Sequence, residues 1–210
     1  MRQEISIAGY KYQDAAENPS HAYLLPEVER LLQAEVARGS PRRIFDLGCG
    51  NGSVAAHLAT AGFEVTGVDP SDDGIAQARI AYPRLALHQG SCYDDLAGAF
   101  GTFPLLLSLE VVEHVYAPRA YAKAVHDLLQ PGGLAILSTP YHSYLKNLAL
   151  AVSGKMDRHF TALWDDGHIK FWSQGTLGQL LLEAGFRSVG FSRVGRIPSL
   201  AKSMIAIARR

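Results

Sequence analysis

The chain has 210 residues, 48% of them hydrophobic and 19% charged, the proportions of a soluble globular protein long enough to bury one sizeable core. Twenty lysines and arginines balance twenty aspartates and glutamates, so no basic footprint marks a nucleic-acid binder, and no apolar run reaches the ~18 residues of a membrane span. Two cysteines, Cys49 and Cys92, with no signal peptide ahead of them, read as free thiols in a reducing compartment and set the expectation of a cytoplasmic protein.

Residues 1–20 are polar and end in Asn18-Pro19-Ser20, which predicts a turn with Ser20 as a helix N-cap. Tyr10 and Tyr12 carry two readings, aromatics that close over a cofactor or mobile N-terminal side chains. From His21 to Ala37, Leu24, Leu25, Val28, Leu31, Leu32 and Val36 recur at helical spacing, and Gly39-Ser40-Pro41 ends that helix. The apolar run Ile44, Phe45, Leu47 then stops at Gly48, and Val54, Ala55, Leu58 and Ala59 follow as an amphipathic face. This predicts a buried strand, a glycine turn and a helix to about Ala61, the opening unit of a doubly wound α/β fold. Strand two is expected at Glu64–Val68, a helix opened by Pro70-Ser71-Asp72 comes next, and strand three covers Leu85–Gln89. Strand four is Phe103–Leu109, with Pro104 near its start. A helix from Pro118 points Tyr121, Ala124, Val125, Leu128 and Leu129 inward, Pro131-Gly132-Gly133 stops it, and Leu134–Ser138 is strand five. Residues 140–172 break the alternation. They hold Trp164, Trp172, His142, His159, His168, Tyr141, Tyr144, Phe160 and Phe171, with one short helix through Leu145, Leu148, Ala149 and Val152 that Gly154 ends. A helix at about Gln174–Ala184, a strand at Ser188–Val194, a loop and a last strand at Ser203–Ala208 complete the chain.

The run Asp46-Leu47-Gly48-Cys49-Gly50-Asn51-Gly52-Ser53 narrows the ligand. Alternate glycines let the backbone turn tightly and a ligand approach it closely, and the helix N-terminus aims unpaired N–H groups over the turn. Ser53 stands where the third glycine of a dinucleotide fingerprint falls, and no Gly-Lys-Ser/Thr of a P-loop follows. The Asp46 carboxylate would repel a pyrophosphate and attract a ligand carrying an ammonium and a sulfonium, the two cations of S-adenosylmethionine (SAM). Asp69 ends the second strand about twenty residues past the glycines, where doubly wound folds place a carboxylate for ribose hydroxyls.

Asp46-Leu47-Gly48-Cys49-Gly50-Asn51-Gly52, Val65-Thr66-Gly67-Val68-Asp69 and Leu128-Leu129-Gln130-Pro131-Gly132-Gly133, in that order, resemble a class I SAM-dependent methyltransferase. Glu110-Val111-Val112-Glu113-His114-Val115 brings the pattern nearest to the ubiquinone-biosynthesis O-methyltransferase-like group. The resemblance implies a doubly wound, seven-stranded, mostly parallel sheet with an antiparallel edge strand. It implies a single domain over 1–210, with 140–172 as an inserted aromatic-rich acceptor or lid segment. It places the donor at Asp46, Gly48, Cys49, Gly50, Asn51, Gly52, Asp69, Pro70, Ser91, Cys92 and Glu110. Members usually have an acid at the position of Ser91; a serine accepts there without charge, and the Cys92 N–H remains a partner for an adenine ring nitrogen.

Methyl transfer asks a protein to align donor and acceptor and to make the acceptor nucleophilic, through a base or a metal. Glu110, Glu113 and His114 share one face if a helix starts directly after strand four, and could then hold a divalent cation such as Mg, which would ionise a catechol-like acceptor. In the group they resemble, the two acids and the histidine are associated with a metal. The other reading gives Glu110 to SAM, Glu113 to the positive end of a helix and His114 to packing. His114 and His168 are the candidate catalytic bases, with His142 a further one. The expected activity is methyl transfer to a small-molecule acceptor, an aromatic hydroxyl. The alternatives are N- or C-methylation of another metabolite, a SAM-binding module without catalysis, and an NAD-linked oxidoreductase, which Asp46 and Ser53 disfavour. The 140–172 segment is an acceptor pocket or, equally, a packed subdomain or dimer contact; its Leu/Val helix with Lys146, Lys155 and Lys170 adds the option of peripheral membrane contact.

Overall fold

A computed structural model describes residues 12, 14–16, 18–160, 162–163 and 167–210; Tyr10 and Trp164 lie outside the described residues. The elements run α1 (His21–Ala37), β1 (Arg43–Leu47), α2 (Ser53–Thr60), β2 (Glu64–Asp69), α3 (Asp72–Ala81), β3 (Ala86–Gln89), α4 (Leu96–Phe100), β4 (Phe103–Leu109), α5 (Pro118–Asp127), β5 (Leu129–Pro140), α6 (Tyr144–Val152), α7 (Met156–Phe160), α8 (Gln174–Glu183), β6 (Ser188–Val194) and β7 (Ser203–Arg209). The seven strands form one sheet in the order β3-β2-β1-β4-β5-β7-β6. All neighbouring pairs are parallel except β7, which runs antiparallel to both β5 and β6. This is the sheet expected from the sequence.

Strand side chains alternate between two helix-covered faces, which is why the central strands read as continuous apolar runs. Phe45, Leu47 and Leu106 pack with Tyr121, Val125 and Leu177 on one face. Ile44, Leu105 and Leu107 pack with Leu24, Leu58 and Ile75 on the other. The strand order reverses between β1 and β4, whose register pairs Asp46 with Leu107. A buried relay fixes that junction: the Tyr121 hydroxyl donates to Ser108 Oγ (2.9 Å), which donates to the carbonyl of Leu47 (2.7 Å). The crevice of a doubly wound sheet opens at such a reversal, at the carboxyl ends of the strands.

Three local expectations are corrected. Ser20 makes no side-chain cap; instead the Asn18 N–H donates to His21 Nδ1 (3.1 Å), and the His21 N–H to the Asn18 carbonyl (2.9 Å). Pro131-Gly132-Gly133 does not separate a helix from strand five but lies inside β5, where the pairing with β4 shifts register between Phe103 and Leu105 and absorbs the extra residues. No helix starts directly after β4. Glu110 adopts φ 55° and residues 112–114 form a turn, so α5 begins only at Pro118, whose ring suits a first helical position. Two short helices, α4 and α7, have no counterpart in the sequence reading; the Asp95 side chain caps α4 by accepting from the Gly98 N–H (3.0 Å).

Candidate active site

The glycine turn is held from below and from the side. The N–H groups of Gly48 and Cys49 both donate to the Val68 carbonyl (2.8 and 3.2 Å), which ties the turn to β2. The Gly50 N–H donates to Asp69 Oδ2 (2.9 Å) and the Ser71 N–H to Oδ1 (2.8 Å), so one carboxylate clamps the turn to the start of α3. Burial raises the Asp69 pKa above its ordinary value, and these two N–H bonds work against that rise. Gly48 has φ 88°, and a β-carbon there would overlap Cγ2 of Val111, so only glycine allows the loop after β4 to close on the turn.

Asp46 is buried behind this turn, and its Oδ2 has no hydrogen-bond partner among the described residues. Burial, then the nearby Asp69 charge, lifts its pKa to about 7. A carboxyl in that state is stabilised by any cation that comes to it. At the carboxyl ends of β1 and β2 lies a cavity of about 110 Å³ whose lining includes Leu47, Gly48, Pro70, Ser91, Cys92, Val111 and His114 but not Asp46. Its Ser91 N–H donates to Asp94 Oδ2 (2.7 Å), so an acid three residues on organises the turn. These groups fit SAM: an unpartnered acid for its cations, a glycine turn that admits close approach, and a small apolar slot at the strand ends.

Of the expected donor residues, Gly48, Pro70, Ser91 and Cys92 line that slot, whereas Asp46, Cys49, Gly50, Asn51, Gly52, Asp69 and Glu110 do not. Cys49 packs on Gly67 of β2, so close that a β-carbon at Gly67 would lie 2.8 Å from its Cβ. The Asn51 side chain points to the N-terminal segment, where Nδ2 donates to the carbonyls of Asp14 (2.9 Å) and Ala16 (3.0 Å). Glu110 turns toward β5: its N–H donates to Ser138 Oγ (3.0 Å), and Ser138 Oγ donates to its carboxylate (2.7 Å). The left-handed backbone at Glu110 costs of order 1–3 kcal/mol and recurs at functional sites.

Beyond the slot, Glu113, His114 and His168 bring one ligand atom each within 4.8 Å of one another. Long-range bonds assemble this group. The N–H groups of Ile169 and Lys170 donate to the Glu113 carbonyl (3.0 Å each), and the Trp172 indole donates to the Val112 carbonyl (3.0 Å), which carries His168 edge-on to His114 at 4.9 Å between ring centroids. Both carboxylate oxygens of Glu113 are buried without a hydrogen-bond partner among the described residues, and burial, then Glu110, pushes its pKa well up. Burial and three neighbouring histidines bring His168 down to about 4, so its imidazole is neutral at pH 7. The neutral His168 imidazole, the His114 ring edge-on to it and a buried acid fit a divalent cation; a base as weak as His168 fits proton abstraction less well. Farther out, His142 stacks on Phe160 (5.9 Å) and meets Phe171 edge-on (5.2 Å), forming an aromatic wall.

A larger cavity of about 660 Å³ lies at the opposite, amino ends of β4 and β5, lined by Glu35, Arg38, Gln130 and Arg209. Its charges satisfy one another, since Glu35 accepts from Arg38 (2.5 Å) and Arg209 (2.7 Å), so it offers no waiting group.

The family model described as methyltransferase domain matches residues 17–189. The chain belongs to the methyltransferase domain family. Over 151 residues it is 35% identical to a ubiquinone biosynthesis O-methyltransferase of Ruegeria pomeroyi, covering 70% of this chain and 60% of that one. A protein of the same name from Dinoroseobacter shibae is 32% identical over 179 residues, 79% of this chain and 71% of its own. The chain thus spans about half to seven-tenths of the length of such relatives. The methyltransferase fold is matched by magnesium protoporphyrin IX methyltransferase from Synechocystis with bound SAH, with a TM-score of 0.65, 21% identity and coverage of 88% of this chain and 82% of that one. Among the described residues, no helix is long and apolar enough to cross a membrane.

Proposed function

We propose that this chain transfers the methyl group of SAM to the hydroxyl of a small aromatic acceptor, with residues 140–172 forming the acceptor side of the site. One observation carries the reading: His114 both lines the donor slot and belongs to the group with Glu113 and His168, so donor and acceptor chemistry meet at one residue. The names of the O-methyltransferase relatives support an oxygen acceptor. SAM bound at the glycine turn supplies a methyl carbon already activated by its sulfonium. The protein's own part is to hold that donor with Asp46 and Asp69, to exclude water with Val111, and to present the acceptor against His114. Glu113, His114 and His168 would hold a divalent cation, which would lower the pKa of a catechol-like hydroxyl; two imidazoles and one carboxylate favour a first-row transition metal over the magnesium expected from sequence. Incubation with SAM and matched catechol, aniline and carbon-acid acceptors tests this. Methylated catechol oxygen is the expected product. A methylated amine or carbon instead overturns the acceptor class, and bound SAM with no turnover on any acceptor leaves a binding module.

A second observation favours contact with an anionic membrane surface. No residue of α6 is buried, and Tyr144, Leu145, Leu148 and Val152 lie on its exposed side at helical spacing, with Tyr144 98% and Val152 81% exposed. Charge is segregated along the chain: residues 141–210 hold ten lysines and arginines against four acids, whereas residues 1–140 hold ten against sixteen. The protein is expected to sediment with phosphatidylglycerol vesicles and not with phosphatidylcholine ones, and Leu148→Glu to abolish that binding. Equal binding of parent and variant removes α6 from the contact.

A further inference from the structure

The donor slot of about 110 Å³ is well under the ~300 Å³ at which sites for whole small ligands begin, so a nucleoside joined to an amino acid has to extend from it along the glycine turn. Tyr12 stands over that part of the turn. A β-carbon at Gly50 would overlap the Tyr12 hydroxyl, and one at Gly74, in the first turn of α3, would lie 3.0 Å from its ring. Neither Gly50 nor Tyr12 lines the slot; Tyr12 stands against the turn at Gly50 and against Gly74 of α3.

Four hydrogen bonds fix the chain there. Asn51 Nδ2 donates to the carbonyls of Asp14 (2.9 Å) and Ala16 (3.0 Å), Gln77 Nε2 to that of Tyr12 (2.6 Å), and the Tyr82 hydroxyl to that of Ala15 (2.8 Å). The donors come from the glycine turn and from α3, the two elements that Asp69 also joins. Asn51 is fully engaged in this task, because its Oδ1 accepts from the Ser53 N–H (3.2 Å).

We propose that Tyr12 contacts the donor, and that Asn51, Gln77 and Tyr82 are positioning residues that act through it by tying Tyr12 and residues 14–16 across the donor's outer half. The proposal rests on reading the glycine turn as the SAM site. A phenol ring beside a ligand with two cations contributes cation–π attraction, and its cover keeps water from the donor. The strap has to release for the donor to enter and the product to leave, so it acts on affinity and not on the methyl-transfer step.

Calorimetry and steady-state kinetics on the whole chain test this. Tyr12→Ala is expected to weaken binding of both SAM and its demethylated product about tenfold, and to raise KM for SAM by the same factor with kcat unchanged. Tyr82→Phe removes one hydroxyl from the strap and keeps the ring. It should weaken SAM binding about threefold in the parent and not at all in the Tyr12→Ala background, because its effect passes through Tyr12. Unchanged melting of the ligand-free variants shows that the fold is intact. Tyr12→Ala protein that binds SAM as tightly as the parent, or more tightly, overturns the proposal, as does a Tyr82→Phe loss that persists without Tyr12. A parent protein that binds no SAM rejects the donor reading itself.

Discussion

Replacing Asp69 with alanine should lower SAM affinity about a hundredfold, the equivalent of ~2.7 kcal/mol, while the protein remains folded. Two losses add to this. The carboxylate accepts the Gly50 and Ser71 N–H bonds that hold the glycine turn against α3, and charge-assisted bonds of this kind are worth about 1.5–3 kcal/mol each when buried. In the donor site proposed above, its remaining lone pairs would accept from the ribose hydroxyls. Asp69→Asn keeps the shape and one acceptor oxygen but turns an amide toward a backbone N–H, so its loss should fall between parent and alanine. Calorimetry of SAM binding, with thermal melting of the ligand-free proteins as the folding control, reads both variants. Parent-like affinity in Asp69→Ala removes Asp69 from the donor site.

The residues proposed for the donor side could be picked out because their signals are local. Asp46 and the glycines after it sit within seven consecutive residues, and apolar runs set β1 and β4 on the sheet with Asp46 at a carboxyl end. The acceptor half was not legible in the same way. Glu110-Val111-Val112-Glu113-His114 is compatible with a helix turn by turn, and long-range bonds divert it, from Glu110 to Ser138, 28 residues away, and from residues 169–172 to the carbonyls of Val112 and Glu113. His168 reaches His114 because Ile169, Lys170 and Trp172 bond to the carbonyls of Val112 and Glu113, pairings that no periodicity encodes. Asn51 shows the converse. Its place in the motif suggested donor contact, and the structure uses its amide to tether a segment 35 residues earlier.

Glu113→Gln should cut turnover at least about a hundredfold and leave SAM affinity within about twofold, because the carboxylate belongs to the acceptor side and touches no part of the donor slot. Treating the parent with a chelator should reproduce the loss, and added divalent metal should restore the parent alone. Full turnover in the chelator, or a fully active variant, would sink the metal reading and leave His114 and His168 as the bases. The same substitution should raise stability when metal is absent. Burial, then the Glu110 charge, lifts the Glu113 pKa well above the ordinary 4.5, so the folded protein keeps a proton that the unfolded chain gives up. Stability therefore falls as pH climbs from 4.5 toward the folded value, and glutamine has no proton to contribute to that fall. In chelator, the variant should melt above the parent at pH 7, by about 2–4 °C for each kcal/mol, with the gap closing as pH drops below 4.5. With metal present the order should reverse, since an ion that binds only the native parent stabilises it by mass action. A carboxylate that destabilises its own fold until a cation arrives is what a site kept for chemistry entails, and identical melting of parent and variant at every pH would show that Glu113 bears no such cost.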